Sequence, residues 1–584
     1  MEMSELERRA PWLITGVMGV LLLTAHSGAE HTYRPSFHKT GTNRVEDFGG
    51  VPPKHTFDVL NTGASHLMLV FEPNANAELS PSIVRIAPGE RKTVRMIAGP
   101  AVKSFELRYA VSLSRAPYTT HTDRHRAYND GETIMCIPVA PTLYTAMQAR
   151  AESIIKESRE LVTDKAMPAG ICIYTPGPAY RTAGIFCRDL LYQLEGSGHD
   201  SVTAEELKQA VDFNALKQLT ENRKVGAFTY PKGAIPDHIY PDGRYCWGPG
   251  MFYGDDTAHF NRPSMDEAMC FVLLAWHYGH RAGWGAEWQA WFKAKAERFE
   301  NAWNSVPRSP KTGLVTQWTT PGHIGANGIT ETNGPCVMWG FHDSYGFGGD
   351  DLGVSVLACN AARALADMYE HVSDSSSAKK WEATASAMRD AVRAQFNPAG
   401  YLPWGVGPNA PTMASPDVTG YTVWSGILLD SQADAASDWF AARYNADKKA
   451  GGAADLFHMS PGFRGSVRMA RKADDVSPGR HVWPDMAKPY WENLTHGYNA
   501  YQDGGYWYYR SLGIAATLWR KHPAEAKEWV TNTYTDITTA DQNHPYERID
   551  GMTPVNSRYN ASVGSVLGMG MPGVSYSVNV RVRR

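Results

Sequence analysis

From about residue 142 onward, the connections between helical stretches alternate between short and long. Helices are expected over 144–164, 182–196, 203–222, 264–282, 285–306, 349–371, 374–396, 417–430, 433–447, 504–521, 523–536 and 557–571. The stretch 374–396 shows the reasoning. Trp381, Ala385, Met388, Val392 and Phe396 recur every three or four residues and form one apolar stripe, while Ser373 and Asp374 stand ready to cap it. About six residues join the second stretch to the third, and one to three join the fourth to the fifth, the sixth to the seventh, the eighth to the ninth and the tenth to the eleventh. The remaining connections are long: 165–181, 223–263, 307–348, 397–416, 448–503 and 537–556. If successive helices run antiparallel, every long connection leaves from the same end. Twelve helices then pair as six hairpins and close into an (α/α)6 toroid, a mainly α fold with its elaborated loops on one face. Long ordered loops on a rigid scaffold are where binding and catalysis usually sit. An open helical solenoid is the competing architecture.

The same alternation makes every even-numbered helix begin at the loop-rich face, so their N-termini converge on one pocket. Polar and aromatic residues gather there. Arg188 and Asp189 lie in the second helix, Asp266 in the fourth, and Trp339, Phe341 and Asp343 lead into the sixth. Tyr421 and Trp424 lie in the eighth, Gln502, Asp503, Tyr506 and Trp507 open the tenth, and Glu547 precedes the twelfth. A carboxylate at a helix N-terminus is an ordinary structural feature taken singly. Their joint placement on one face is what points to a site.

The N-terminal region has a different texture. Arg8 and Arg9 precede an apolar run from Trp12 to Ala25, and Ser27-Gly28-Ala29 follows with small residues. This is the layout of a secretory signal peptide over 1–29, with a mature chain beginning near Glu30 and a periplasmic or extracellular location. The run is shorter than the roughly 20 residues a transmembrane helix needs, so no membrane span is expected after cleavage. A retained anchor is the alternative. Residues 30–50 read as a linker, 51–118 as short strands separated by turns at Asn61-Thr62-Gly63 and Pro88-Gly89-Glu90, 119–141 as a second linker, and 142–584 as the helical domain. With 57 Lys and Arg against 60 Asp and Glu, nothing marks the chain as a nucleic-acid binder. Seven cysteines include no C-x-x-C pair, so most are expected as buried thiols. Asp255-Asp256 and Asp350-Asp351 lack EF-hand spacing and read as solvated loop charge rather than a calcium site. No metal or other cofactor is called for.

Residues 51–118, with their N-x-G and I-x-P-G-E turns, resemble a bacterial immunoglobulin-like module of the ASH type. Residues from about 140 to 571 resemble the six-hairpin glycoside hydrolases, which include trehalases, alkaline invertases and processing α-glucosidases. "RDLLY" resembles their R-D-x-x-Y element. "GAIPDHIYPDG" followed by "RPSMDEAMCFVLLAWHY" resembles their G-x-(I/V)-P segment and the later helix that starts with Asp. "YQDGGYW" resembles Q-N-G-G-x-W, with Asp503 in place of the commoner Asn, and "PYERIDG" resembles their last acidic element. Phe186 departs from the Trp that relatives often carry at that position, which leaves specificity open.

The resemblance implies an inverting hydrolase of glycosidic bonds in which Asp266 is the general acid and Glu547 the general base. Such a pair stands roughly 6.5–9.5 Å apart to admit the attacking water. Arg188, Asp189 and Asp343 are then candidates for hydrogen bonds to sugar hydroxyls, with Asp343 also the alternative acid. Gln502 and Asp503 fall in the same site. Trp339, Trp424, Tyr506 and Trp507 are candidates for stacking on sugar faces, with core packing the competing role for each. The expected partner is a carbohydrate. A polysaccharide lyase on the same toroid and a non-catalytic surface carbohydrate-binding protein are the alternatives.

Overall fold

The computed structural model describes residues 21–27, 29–32, 43–48, 54–61, 67–71, 77–80, 83–86, 90–98, 104–113, 137–167, 170–175, 185–197, 202–225, 228–246, 265–316, 350–407, 414–449, 467–468, 506–507, 511–539, 548–550, 553–555, 570–572 and 575–582. Two compact units emerge. One comprises 1–121, 135–144 and 570–584, and the other 122–134 and 145–569.

The first unit is built from strands β1 (Leu21–Ser27), β2 (Ala29–Thr32), β3 (Asn43–Phe48), β4 (Lys54–Asn61), β5 (Leu67–Phe71), β6 (Ala77–Ser80), β7 (Ile83–Ile86), β8 (Arg91–Ala98) and β9 (Ser104–Leu113). One sheet has the order β2-β1-β4-β8-β6. The other has the order β3, Ser575–Val582, β9, β5, β7. The chain therefore returns at its C-terminal end, where Ser575–Val582 pairs antiparallel with β9 and parallel with β3. In β8, Val94 and Met96 are buried while Thr93 and Arg95 are exposed, the two-residue alternation of a strand with one face on a core. The unit is thus larger than the 51–118 expected from turn signals. Its added strands come from both ends of the chain, and the helical unit stops at Met569 rather than at 584.

The second unit is mainly helical. Eleven helices occur among the described residues: α1 (Pro141–Glu157, entered from the first unit), α2 (Cys187–Ser197), α3 (Ala204–Lys217), α4 (Met265–Arg281), α5 (Ala286–Asn304), α6 (Leu352–His371), α7 (Ser375–Arg393), α8 (Pro416–Trp424), α9 (Asp430–Lys449), α10 (Ser511–Trp519) and α11 (Pro523–Thr539). The expected twelfth helix falls outside the described residues except for Gly570 and Met571, which lie in the strand Gly570–Pro572. Capping follows the sequence. Thr203 and Glu206 form a capping box on α3, Asp374 caps α7 through the Ser377 N–H, and Ser415 caps α8 ahead of Pro416.

Burial separates the helices into two layers. In α4 every residue from Met265 to Gly279 is buried, and in α10 all nine are. The described side chains of α2 are buried throughout, as are nearly all of α6 and α8. By contrast, α7 buries only Ala378, Trp381, Ala385, Met388 and Val392, and α5 a comparable single stripe. A helix apolar all round must be surrounded, and a one-faced helix lies outside. Contacts agree: α2 packs on α4, α4 on α6, α6 on α8 and α8 on α10, while α5, α7, α9 and α11 each lie against an inner neighbour. Inner and outer helices therefore alternate in chain order, the arrangement of a helical toroid. At the α8–α10 crossing Gly420 meets Gly513, and a Cβ on Gly420 would lie 2.9 Å from the Gly513 carbonyl carbon. Only hydrogen side chains let these two backbones approach so closely.

Candidate active site

Four consecutive inner helices begin on a buried carboxylate. Asp189 lies in the first turn of α2, Asp266 and Glu267 in that of α4, and Asp417 in that of α8. Helix α6 is capped by Asp351, whose Oδ1 accepts the Val354 N–H at 2.9 Å. Unpaired N–H groups and the helix dipole favour anions at such termini. Among the described residues one buried cation, Arg188 of α2, stands with them. Its Nη2 donates to Asp237 Oδ1 at 2.9 Å, and its Nη1 lies 3.0 Å from Glu267 Oε1 and 3.3 Å from Asp266 Oδ2. Glu267 also accepts the Cys187 N–H at 2.7 Å, which stitches the start of α2 to the start of α4. Across the inner layer, the Tyr421 hydroxyl of α8 donates to Glu195 of α2 at 2.7 Å.

The electrostatics follow from one cation sharing several anions out of water. Burial alone favours loss of the Arg188 proton, but Asp237, Asp266 and Glu267 hold the guanidinium firmly charged. Burial drives the Glu267 carboxyl well above the usual range; Arg188 opposes this, and Asp266 and Asp237 add to it. Asp351 is pushed up to about 7, chiefly by burial, against the Val354 N–H and with a further push from Asp266 and Asp417. Among the described residues no hydrogen-bond partner meets its Oδ2. A carboxyl that keeps its proton to neutral pH is the group needed to protonate a poor leaving group.

The structure brings together Arg188, Asp189 and Asp266, all expected in the site. Trp424 is placed differently. It sits at the C-terminal end of α8, 1% exposed and stacked on Tyr421 at 5.3 Å, so its ring packs in the core. Tyr506-Trp507 form a short strand whose register sets Trp507 opposite Arg548 and Tyr506 opposite Ile549. The residue after Glu547 is thereby set beside the lead-in to α10. Glu547 itself, Trp339, Asp343, Gln502 and Asp503 lie outside the described residues.

Two features escaped the sequence. Asp350 and Asp351 are not solvated loop charge. They are 8% and 3% exposed, Asp350 accepts the Thr312 hydroxyl, and Asp351 caps an inner helix. The Asp-Asp-Leu-Gly step into an apolar run was the available sign. Asp237 and His238 also join Arg188, which only a contact across 49 residues reveals. Among the described residues, no group of three or more His, Cys, Asp or Glu is placed to hold a metal ion. Cys187, Cys270 and Cys359 are buried free thiols, and burial pushes each of them up.

No protein-family model matches the chain, and no curated protein matches it. Among solved structures the chain is similar to a wild-type glycosidase, 14% identical over 73% of this chain and 95% of that one, with a TM-score of 0.44. It is also similar to a GH63 mannosylglycerate hydrolase from Thermus thermophilus in complex with glucose, 12% identical over 72% of this chain and 99% of that one, with a TM-score of 0.45. A third likeness is to SSP-19, an MSP-domain protein like family member of Caenorhabditis elegans, 22% identical over 12% of this chain and 66% of that one, with a TM-score of 0.11.

Proposed function

We propose that the chain is a glycoside hydrolase that cleaves a carbohydrate by an inverting two-carboxyl mechanism. The observation that carries this reading is the convergence of buried carboxylates at the starts of consecutive inner helices, with Glu267 and Asp351 held toward their neutral forms. An alkoxide leaving group needs a carboxylic acid beside it, and water on the opposite face needs a carboxylate. Asp266 is the assigned acid and Glu547 the assigned base. Arg188 and Asp189 belong to the wall that receives sugar hydroxyls, with Asp343, Gln502 and Asp503 assigned to the same pocket and Trp339, Tyr506 and Trp507 to stacking. Asp351 is the second acid to test, because burial keeps its proton whereas Asp266 faces Arg188.

The catalytic claim is tested by incubating purified protein with a panel of aryl glycosides and oligosaccharides and following the anomer of the product by proton NMR. Release of sugar with inverted configuration is expected. No cleavage of any member by wild-type protein would contradict hydrolysis, and retention would contradict the single-displacement geometry assigned to the carboxyls. The immunoglobulin-like character of the β unit and export belong to the same proposal. Cleavage near Glu30 would remove β1, which lies between β2 and β4. Mass spectrometry of protein from its native host is expected to find a chain starting near Glu30, and an intact N-terminus in a membrane fraction would favour an anchor.

A further inference from the structure

Arg188 is held from one side by a chain of polar groups that the hydrolytic assignment does not use. Asp237 accepts the guanidinium on Oδ1 at 2.9 Å and meets His238 Nδ1 through Oδ2 at 2.8 Å. His238 Nε2 lies 3.1 Å from the Tyr240 hydroxyl. One tautomer satisfies every link: Tyr240 O–H donates to Nε2, and Nδ1–H donates to Asp237. The His238 ring packs on Phe186 at 4.7 Å, and the Arg188 guanidinium lies 5.1 Å from the centre of that same ring. Arg188, Asp237 and His238 are all buried. The guanidinium therefore has a fixed place, 2.9 Å from Asp237 but 3.3 Å from Asp266.

We propose that Asp237 and His238 are positioning residues that fix Arg188 and apportion its charge between Asp266 and Glu267. The inference rests on the hydrolase reading for its consequence in catalysis, but the geometry stands without it. Three carboxylates compete for one guanidinium, and the best-made bond takes the largest share. The groups facing Arg188 are Asp237 from the loop before residue 240, Asp189 from its own helix, and Asp266 and Glu267 from α4. If the Asp237 charge is removed, Arg188 is left to Asp266 and Glu267 of α4 and to Asp189 of its own helix. Glu267 then loses a negative neighbour and gains more of a positive one, and both changes make it release its proton at lower pH.

The test is infrared titration of the protonated carboxyl band of Glu267, identified by its loss in Glu267→Gln. Asp237→Asn is expected to lower the midpoint by about one pH unit or more. His238→Gln, which loses the Nδ1 donor that holds Asp237 in place, should also shift it. His238→Asn, whose amide donates from the Nδ1 position, should restore it. On a glycoside cleaved by wild-type protein, Asp237→Asn and His238→Gln should lower kcat about tenfold with little change in KM, and His238→Asn should recover most of it. A folded Asp237→Asn protein with an unmoved midpoint overturns the proposal. Should that variant fail to fold, the same midpoint in His238→Gln and His238→Asn overturns it. The infrared result is independent of activity, so a wild-type protein that cleaves no glycoside defeats the hydrolase reading and leaves this one to be decided by the midpoint.

Discussion

Burial holds the Glu267 and Asp351 carboxyls toward their protonated forms. Asp351 has a folded value of about 7 against 3.8 for the free side chain, because its site is dry and Asp266 and Asp417 face it. A raised carboxyl binds its proton more tightly in the folded state. Its contribution to stability is full below about pH 4 and is lost as pH rises toward about 7, amounting to at most about 4 kcal/mol. Asp351→Asn retains an N-cap oxygen for Val354 and removes the titration. Thermal melts at pH 4 and pH 7 should therefore show the variant gaining on wild-type protein at the higher pH. An unchanged Tm difference between the two pH values would mean that Asp351 does not carry a displaced proton. Asp266 was legible as a candidate because it opens a helix after a loop. The role of Asp351 was not, since the Asp-Asp-Leu-Gly step can mark a helix cap but not the burial that Asp351 has beside Asp266 and Asp417.

At the scale of elements, the helices were legible and their depth was not. The stripe at Trp381, Ala385, Met388 and Val392 gave α7, and those residues are among the ones it buries. Inner helices such as α10 carry apolar residues all round, which marks them as helices but not as neighbours. The α8–α10 crossing depends on Gly420 and Gly513, whose wide separation in the chain has no sequence signature. Gly513→Ala would drive a methyl into the Gly420 backbone. Denaturant unfolding should show a loss of about 1–3 kcal/mol or more. A variant as stable as wild-type protein would contradict the close approach. In the β unit, turn signals found the strands between 51 and 118 but could not show that Ser575–Val582 pairs with β9 and β3. Deleting 575–582 should leave both strands with unpaired edges, seen as faster amide exchange across 104–113. Unchanged protection there would contradict the pairing.

For the whole molecule, alternating loop length led to a ring of helical hairpins whose even-numbered helices begin on one face, and the structure makes those helices the inner layer. The buried Arg188, Asp266, Glu267 and Asp351 all lie at their N-termini. This grouping is a consequence of topology: the residues come from separate stretches of chain, and only a layered helical unit brings them together. A carboxylic acid in this group is proposed to protonate a glycosidic oxygen. The most direct measurement compares kcat/KM of wild-type and Asp266→Asn protein on a cleaved glycoside with a poor leaving group and on the corresponding glycosyl fluoride, which needs no proton. A loss of roughly 10²–10⁴-fold is expected on the first and a small one on the second. Near-full activity of Asp266→Asn on both would contradict the assignment, and the same pattern in Asp351→Asn would move the acid to α6.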